Sequence, residues 1–423
     1  MRRVAWGPLL VAVAALAAAC GEQLESGTAC PLLCPSQNVV VQDTVIEPLV
    51  YDTSISGYPL RGTENRLLLA ARGDTFETRV VIRFDSTFNF YRTISGDSQV
   101  AHIDSPYVKL RIDRARSLIP GSFTLEVFDV DTVVGDSLAA EEDTSTALEL
   151  ALFKSERLLA TATFDTSDFR DSIRVLLDSA TVERKIVERE RLRLGFRVTA
   201  PGSVVLYFYS KETEDSPVLR YDPSPDTAIK ALTVFPMSKT PRSQPVVASD
   251  LADYTHILHA PPDPPWPLLG VGGASGRRIL MRFDIPSRIV DSSNVLRATL
   301  LLTQFPLRDV DDSAGVVLYP HFVTAGPEVV DPGRLAYLIS AAGSGFDSVV
   351  VAARDSGVRA FEVVNALRAW GLSGSRSQRA LVLRASLEGL DHRRVAFFSR
   401  EAPAGLRPRL RISYSLVQRF GIP

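Results

Sequence analysis

Cysteine is scarce in this 423-residue chain. There are three, Cys20, Cys30 and Cys34, and they leave no partners for a zinc site. The five histidines are scattered. The closest pair, His256 and His259, is three apart, which on a strand puts the rings on opposite faces, so no metal is expected. Neither GGASGRR around Ser275 nor GLSGSRS around Ser373 is the G-x-S-x-G elbow that a serine nucleophile needs. DVDDSAG at 309–315 alternates carboxylates like a calcium loop, but Ala314 and Pro320 stand where an EF-hand needs glycine and glutamate. Charge of one sign is lacking too: 47 basic against 49 acidic residues give a net −2 and no reason to expect nucleic acid. No cofactor motif and no catalytic residue emerges, and the chain reads as non-catalytic.

What is present suits a folded globular protein: 45% hydrophobic and 23% charged residues, enough for two domains of roughly 200 residues. The first 20 residues join Arg2 and Arg3 to an apolar run, Leu9 to Ala19. That run is too short to span a bilayer and is patterned as an export signal. Leu16-Ala17-Ala18-Ala19-Cys20 resembles the bacterial lipobox, with alanine at 17 where leucine is commoner. The resemblance implies lipidation at Cys20, a membrane anchor and, with Gly21 following, an outer-membrane lipoprotein of the cell envelope. Residues 21–37 read as a tether. Within it, Cys30 and Cys34 are either a small-loop disulfide or two reduced bystanders.

The strongest internal signal is a long-period repeat. RVVIRFD at 79–85 matches RILMRFD at 278–284, VVLYFYSKE at 204–212 matches RVAFFSREA at 394–402, and PVLRY at 217–221 matches PRLRI at 408–412. Asp85 to Ser210 is 125 residues and Asp284 to Ser399 is 115, so order and spacing agree. The first block alternates as a half-buried strand should, with one greasy face and Arg83 and Asp85, or Arg282 and Asp284, on a charged one. TVERKIVERERL from Thr181 and VVNALRAW from Val363 predict amphipathic edge helices, and RLAYLISAA from Arg334 a shorter one. Short strands such as YVKLRID, FTLEVFDV, LRLGFRV, ATLLLT and ALVLRA, separated by turn residues, predict an all-β protein. The expected fold is two tandem jelly-roll-like antiparallel β-sandwich domains, 38–236 and 237–418.

LLGVGGASGRRILMRFDIP, SSNVLRATLLLT and FFSREAPAGLRPRLRISY resemble DNRLRE-type modules, bacterial surface β-sandwiches related to carbohydrate-binding modules that include alginate binders. The resemblance is fullest in the second copy and implies a jelly-roll-like fold without catalytic residues. Candidate ligand residues come from the chain itself. From Arg359 to Pro423 there are twelve arginines against four acids, and Arg407, Arg409 and Arg411 share one strand face. Their forks suit an anionic polysaccharide; the competing reading is a charged edge strand resisting aggregation. Trp266 in PPWP, and FNFY at Phe88 to Tyr91, offer rings for stacking on sugars or for the core. Ser399-Arg400-Glu401 and its counterpart Ser210-Lys211-Glu212 read as inward polar strand ends, with Glu401 expected to meet Arg282 and Glu212 to meet Arg83. The expected function is a surface-anchored glycan or matrix binder; the alternative is a structural or assembly component of the envelope.

Overall fold

The computed structural model describes residues 40–56, 62, 64–93, 96–131, 151–167, 170–224, 230–238, 251–308, 315–339, 348–373 and 378–417. The signal with Cys20, the tether with Cys30 and Cys34, and the acidic loop 309–314 lie outside the described residues. Contacts divide the chain into Met1–Gln42 and a compact unit, Asp43–Pro423, which holds the fold.

That unit is an all-β protein of two antiparallel sandwiches. In the first, one sheet runs β12 (Val204–Tyr209), β3 (Arg66–Arg72), β4 (Phe76–Phe84), β11 (Leu192–Thr199), β8 (Phe123–Asp129), β9 (Leu158–Phe164), with β15 (Asp253–His259) also on β4. The other runs β10 (Ser172–Leu176), β7 (His102–Arg111), β13 (Val218–Ser224), β14 (Leu232–Val234). In the second sandwich, β2 (Leu49–Ile55), β17 (Arg278–Phe283), β22 (Ala380–Ala385), β19 (Gly315–Phe322), β20 (Val349–Ala352) form one sheet. The other is β1 (Val41–Ile46), β24 (Arg409–Leu416), β18 (Ser293–Phe305), β23 (Arg394–Phe398), β16 (Leu268–Gly272), with β21 (Gly357–Glu362) on β18. A separate hairpin joins β5 (Phe90–Thr93) and β6 (Gly96–Gln99).

Each sandwich has its own core, drawn from both of its sheets. Val80, Ile82, Leu194 and Phe196 meet Val108, Leu110 and Leu219 in the first; Ile279, Met281, Leu381 and Leu383 meet Leu300, Leu302, Leu410 and Ile412 in the second. Alternation decides which residues go inward: on β7, Val108 and Leu110 are buried while Lys109 is half-buried and Arg111 exposed. Two of the three predicted helices form, from Thr181 and Val363; the one expected from Arg334 is replaced by a single turn, Pro332–Leu335, that starts two residues earlier. In α1 (Ser179–Val187), Asp178 caps the start by accepting from Thr181 N at 2.9 Å, and Val182 and Ile186 turn inward. Two single turns follow, α2 (Ser287–Val290) and α3 (Pro332–Leu335), the latter capped by Asp331. In α4 (Val364–Ser373), Leu367 and Trp370 are buried in the second core.

The repeat extends to topology. β4-β11-β8-β9 corresponds to β17-β22-β19-β20, β12-β3 to β23-β16, and β10-β7-β13-β14 to β21-β18-β24-β1. β15 on β4 then corresponds to β2 on β17, in matching register: Asp253 lies opposite Ile82, and Asp52 opposite Met281. These correspondences correct the expected division near residue 236. β14 and β15 complete the first sandwich, whereas β2 and residues 43–46 of β1, which precede it in sequence, complete the second. Ile46 and Leu49 pack on the second core. A strand takes whatever open ladder edge its register fits, and nothing local marks that edge as near or far in sequence.

The charged face of β4 is corrected as well. Arg83 and Asp85 are buried, on a face where Val81 clusters with Phe128, Val130, Phe153 and Tyr254. Arg83 Nη2 donates to Tyr254 Oη at 2.7 Å, and its guanidinium lies 5.1 Å over the Tyr254 ring. Arg193 grips Asp85 through two hydrogen bonds, at 2.9 and 2.8 Å. Beside them Lys185 reaches Asp129 at 2.9 Å and Asp131 at 3.5 Å, and Arg191 reaches Asp131 at 2.9 Å. Burial pushes the Asp131 carboxyl up against the pull of these cations. In the second sandwich the same face is open: Arg282 is half-buried and Asp284 exposed.

Candidate functional site

Three segments distant in sequence converge at one end of the second sandwich. β2 brings Asp52, Thr53 and Ser54; the Pro-rich loop before β16 brings Asp263 and Trp266; the turn after β23 brings Ser399 and Glu401. Together they line a concavity of about 300 Å³. Strand alternation ends β23 with Ser399 turned inward at 3% exposure, its N–H bonded to Pro267 O at 2.9 Å. Ser399 Oγ donates to Glu401 Oε2 at 2.8 Å and accepts from Glu401 N at 3.1 Å, which closes a tight polar turn. Arg400 Nε donates to Glu401 Oε1 at 2.8 Å, its N–H to Asp52 Oδ2 at 2.8 Å, and its Nη1 to the Val50 carbonyl.

The electrostatics follow from this geometry. Asp52 is pushed up to about 6, first by burial and then by the negative charge of the nearby Glu401 carboxyl; the Arg400 N–H opposes this. Burial also raises Glu401, but the hydrogen bonds from Arg400 and Ser399 outweigh it and hold the carboxyl below its ordinary range. Asp263 on the rim is ion-paired with Arg277. Trp266 stands out at 77% exposure, so its indole presents a bare apolar face beside the carboxyl pair.

The first sandwich contains the same motif in closed form. Asp253 of β15 accepts from Lys211 N at 2.6 Å, and Ser210 Oγ accepts from Glu212 N at 3.2 Å. Asp253 is 1% exposed and is pushed up to about 7, by burial first and by Glu64 and Glu212 nearby, against the Lys211 N–H and ammonium.

The sequence expectations fare unevenly here. Trp266, Ser399 and Glu401 come together, while Asp52, Ser54 and Asp263 went unnoticed. The faint signal was the likeness of Asp-Thr at 52–53 to Asp-Tyr-Thr at 253–255. Glu401 meets Arg400 and Ser399 rather than Arg282, and Glu212 is exposed while Arg83 is sealed against Tyr254. The strand ends are therefore inward at the serines only; the turn carries the next two residues outward. Of the arginine row, Arg407 donates to Ala402 O at 2.8 Å and lies 3.5 Å from Glu47. Arg409 is half-buried and Arg411 exposed. Their strand is not an edge, since β24 lies between β1 and β18, which removes the edge-protection reading. Phe88 and Phe90 are exposed, with the Arg189 guanidinium 5.3 Å over the Phe90 ring.

Among the described residues no three His, Cys, Asp or Glu side chains are grouped to hold a metal ion, and no helix is long and apolar enough to cross a membrane. No protein-family model matches the chain, and no curated protein is significantly similar to it. Among solved structures, the infectious bursal disease virus VP2 subviral particle is 12% identical over 86% of this chain and 79% of that one, with a TM-score of 0.14. A structure titled BspA_C_mut is 8% identical over 90% and 84%, with a TM-score of 0.11. Superpositions this loose carry no argument about function.

Proposed function

We propose that this chain is a non-catalytic envelope lipoprotein, anchored through Cys20 to the outer membrane, whose second sandwich binds glycan at Trp266. The observation that carries the reading is the exposed indole beside a concavity of hydrogen-bonding groups. A sugar ring has an apolar face to stack and hydroxyls to bond, and this pairing suits both. The carboxyl pair supports binding over hydrolysis. Glu401 is tied up by Ser399 and Arg400, and Asp52 by the Arg400 N–H, whereas a glycosidase needs one carboxyl free as acid and the other free as base or nucleophile. An anionic polymer on Arg407, Arg409 and Arg411 has less support, because Arg407 is committed within the protein and Arg409 is half-buried.

The test uses Cys20→Ser protein, which is expected in the soluble fraction and is screened on a glycan array. Trp266→Ala in that background is expected to lose retention with an unchanged unfolding midpoint; full retention would remove the site. Continued membrane association of Cys20→Ser would remove the anchor. The alternative, an envelope assembly component, has in its favour a groove of about 490 Å³ beside α4, flanked by Leu296 and by Leu372 at 91% exposure. Leu372→Asp would disrupt assembly under that reading and leave glycan retention untouched.

A further inference from the structure

One side of the Trp266 site, Asp52 to Ser54, belongs to β2, whose contacts with the rest of the wall are all non-covalent and long-range. Ser54 Oγ accepts from Gly270 N at 2.8 Å and donates to Gly270 O at 3.0 Å, across 216 residues. Arg400 holds Asp52 and the Val50 carbonyl across some 350. Lifting β1 and β2 away would remove Asp52, Thr53 and Ser54 from the site and leave Trp266, Asp263, Ser399 and Glu401 behind. A ligand that touches both parts binds the docked arrangement alone, and by linkage it holds that arrangement in place.

The groups presented also define the ligand. The carboxylates of Asp52, Glu401 and Asp263 are acceptors. Ser399 Oγ already donates to Glu401, and Arg400 is spent on Glu401, Asp52 and Val50. A uronate or sulfate would therefore bring acceptors to acceptors, whereas hydroxyls or an ammonium bring a donor, which the buried Asp52 Oδ1 lacks. The indole face accepts either the apolar side of a pyranose or a cation.

We propose that the site recognises a glycan rich in hydroxyl or ammonium donors, held across Trp266 and the Asp52–Glu401 pair, and that its occupancy locks β1 and β2 onto the second sandwich. The proposal rests on the glycan reading above. It is tested by amide hydrogen exchange on the full chain carrying Cys20→Ser, with three probes: a neutral hexose oligomer, an amino-hexose oligomer and a uronate oligomer. At ten times Kd, exchange in residues 43–55 is expected to slow about tenfold with the first two, while β15, the equivalent strand of the first sandwich, is unaffected. Ile46→Ala, which loosens the strand pair away from the site, makes the region open locally, and the slowing is expected to persist there. In Trp266→Ala it is expected to vanish. Binding without slowing in 43–55, in wild type and Ile46→Ala alike, would overturn the coupling. Tighter binding of the uronate would overturn the donor-rich ligand. Failure of all three probes to bind would overturn the glycan reading itself.

Discussion

In the first sandwich an aspartate from an added strand accepts a backbone N–H from the turn after β12 and is sealed from water. In the second an aspartate in the same register accepts the equivalent N–H after β23 and opens onto a concavity beside a bare tryptophan. The shared part, aspartate to turn N–H, fastens a strand to a sandwich. The part that differs, exposure and Trp266, is where a ligand has room. The same contrast holds on the next residues of the repeat: Arg83 and Asp85 are buried among partners, whereas Arg282 is half-buried and Asp284 exposed. One copy has converted its polar outer face into a second, ionic core; the other has kept it wet.

The largest expected effect separates the two copies at Asp85 and Asp284. Asp85→Ala leaves the Arg193 guanidinium buried without its bidentate partner and is expected to cost about 3–5 kcal/mol in denaturant unfolding. Asp284→Ala, at the matching exposed position, is expected to change stability by under about 0.5 kcal/mol. Equal losses would mean that the buried face of β4 is not ionic in its energetics.

A smaller effect concerns pH. Asp253 and Asp52 bind a proton more tightly in the folded protein than in the unfolded chain, where the ordinary value is 3.8. Stability from these groups is therefore fully present below about pH 4 and is lost as pH rises, through about 7 for Asp253 and about 6 for Asp52. Asp253→Asn is expected to stabilise by on the order of 2 kcal/mol at pH 8 and by nothing near pH 4. Asp52→Asn is expected to do less, with its gain complete about one unit lower. Thermal unfolding across pH 4–8 checks both, and a gain independent of pH would show that desolvation of the carboxylate is not the cause. The smallest effect is expected at Arg411, exposed on β24: Arg411→Glu should leave both stability and glycan retention within error, and a large loss of retention would return the ligand to the arginine row.

Much of the fold was legible. Alternating β-branched and aromatic residues gave the strands, three- and four-residue spacing gave α1 and α4, and the matched RFD and Ser-Arg-Glu blocks gave the pairing of copies. What was illegible depended on contacts remote in sequence. Arg83 and Asp85 alternate like a solvent face, and it is turned inward by partners 108 and 171 residues downstream, Arg193 on Asp85 and Tyr254 on Arg83. Trp266 was visible by residue type, but Asp52 had no local mark, since its role comes from a turn 348 residues away.

The pairing of β1 with β24 also has a consequence in time. Asp43 and Ser413, hydrogen-bonded side chain to side chain, are 370 residues apart. At roughly 5–20 residues per second of synthesis, the first strand pair waits on the order of 20–70 s for the ladder it completes. The first sandwich, contiguous from β3 to β15, needs no such wait and can close while the rest is still being made. During that interval β1 and β2 present unpaired edges to whatever is nearby, and a chain cut short at either end forfeits the second sandwich, with its Trp266 concavity, while sparing the first.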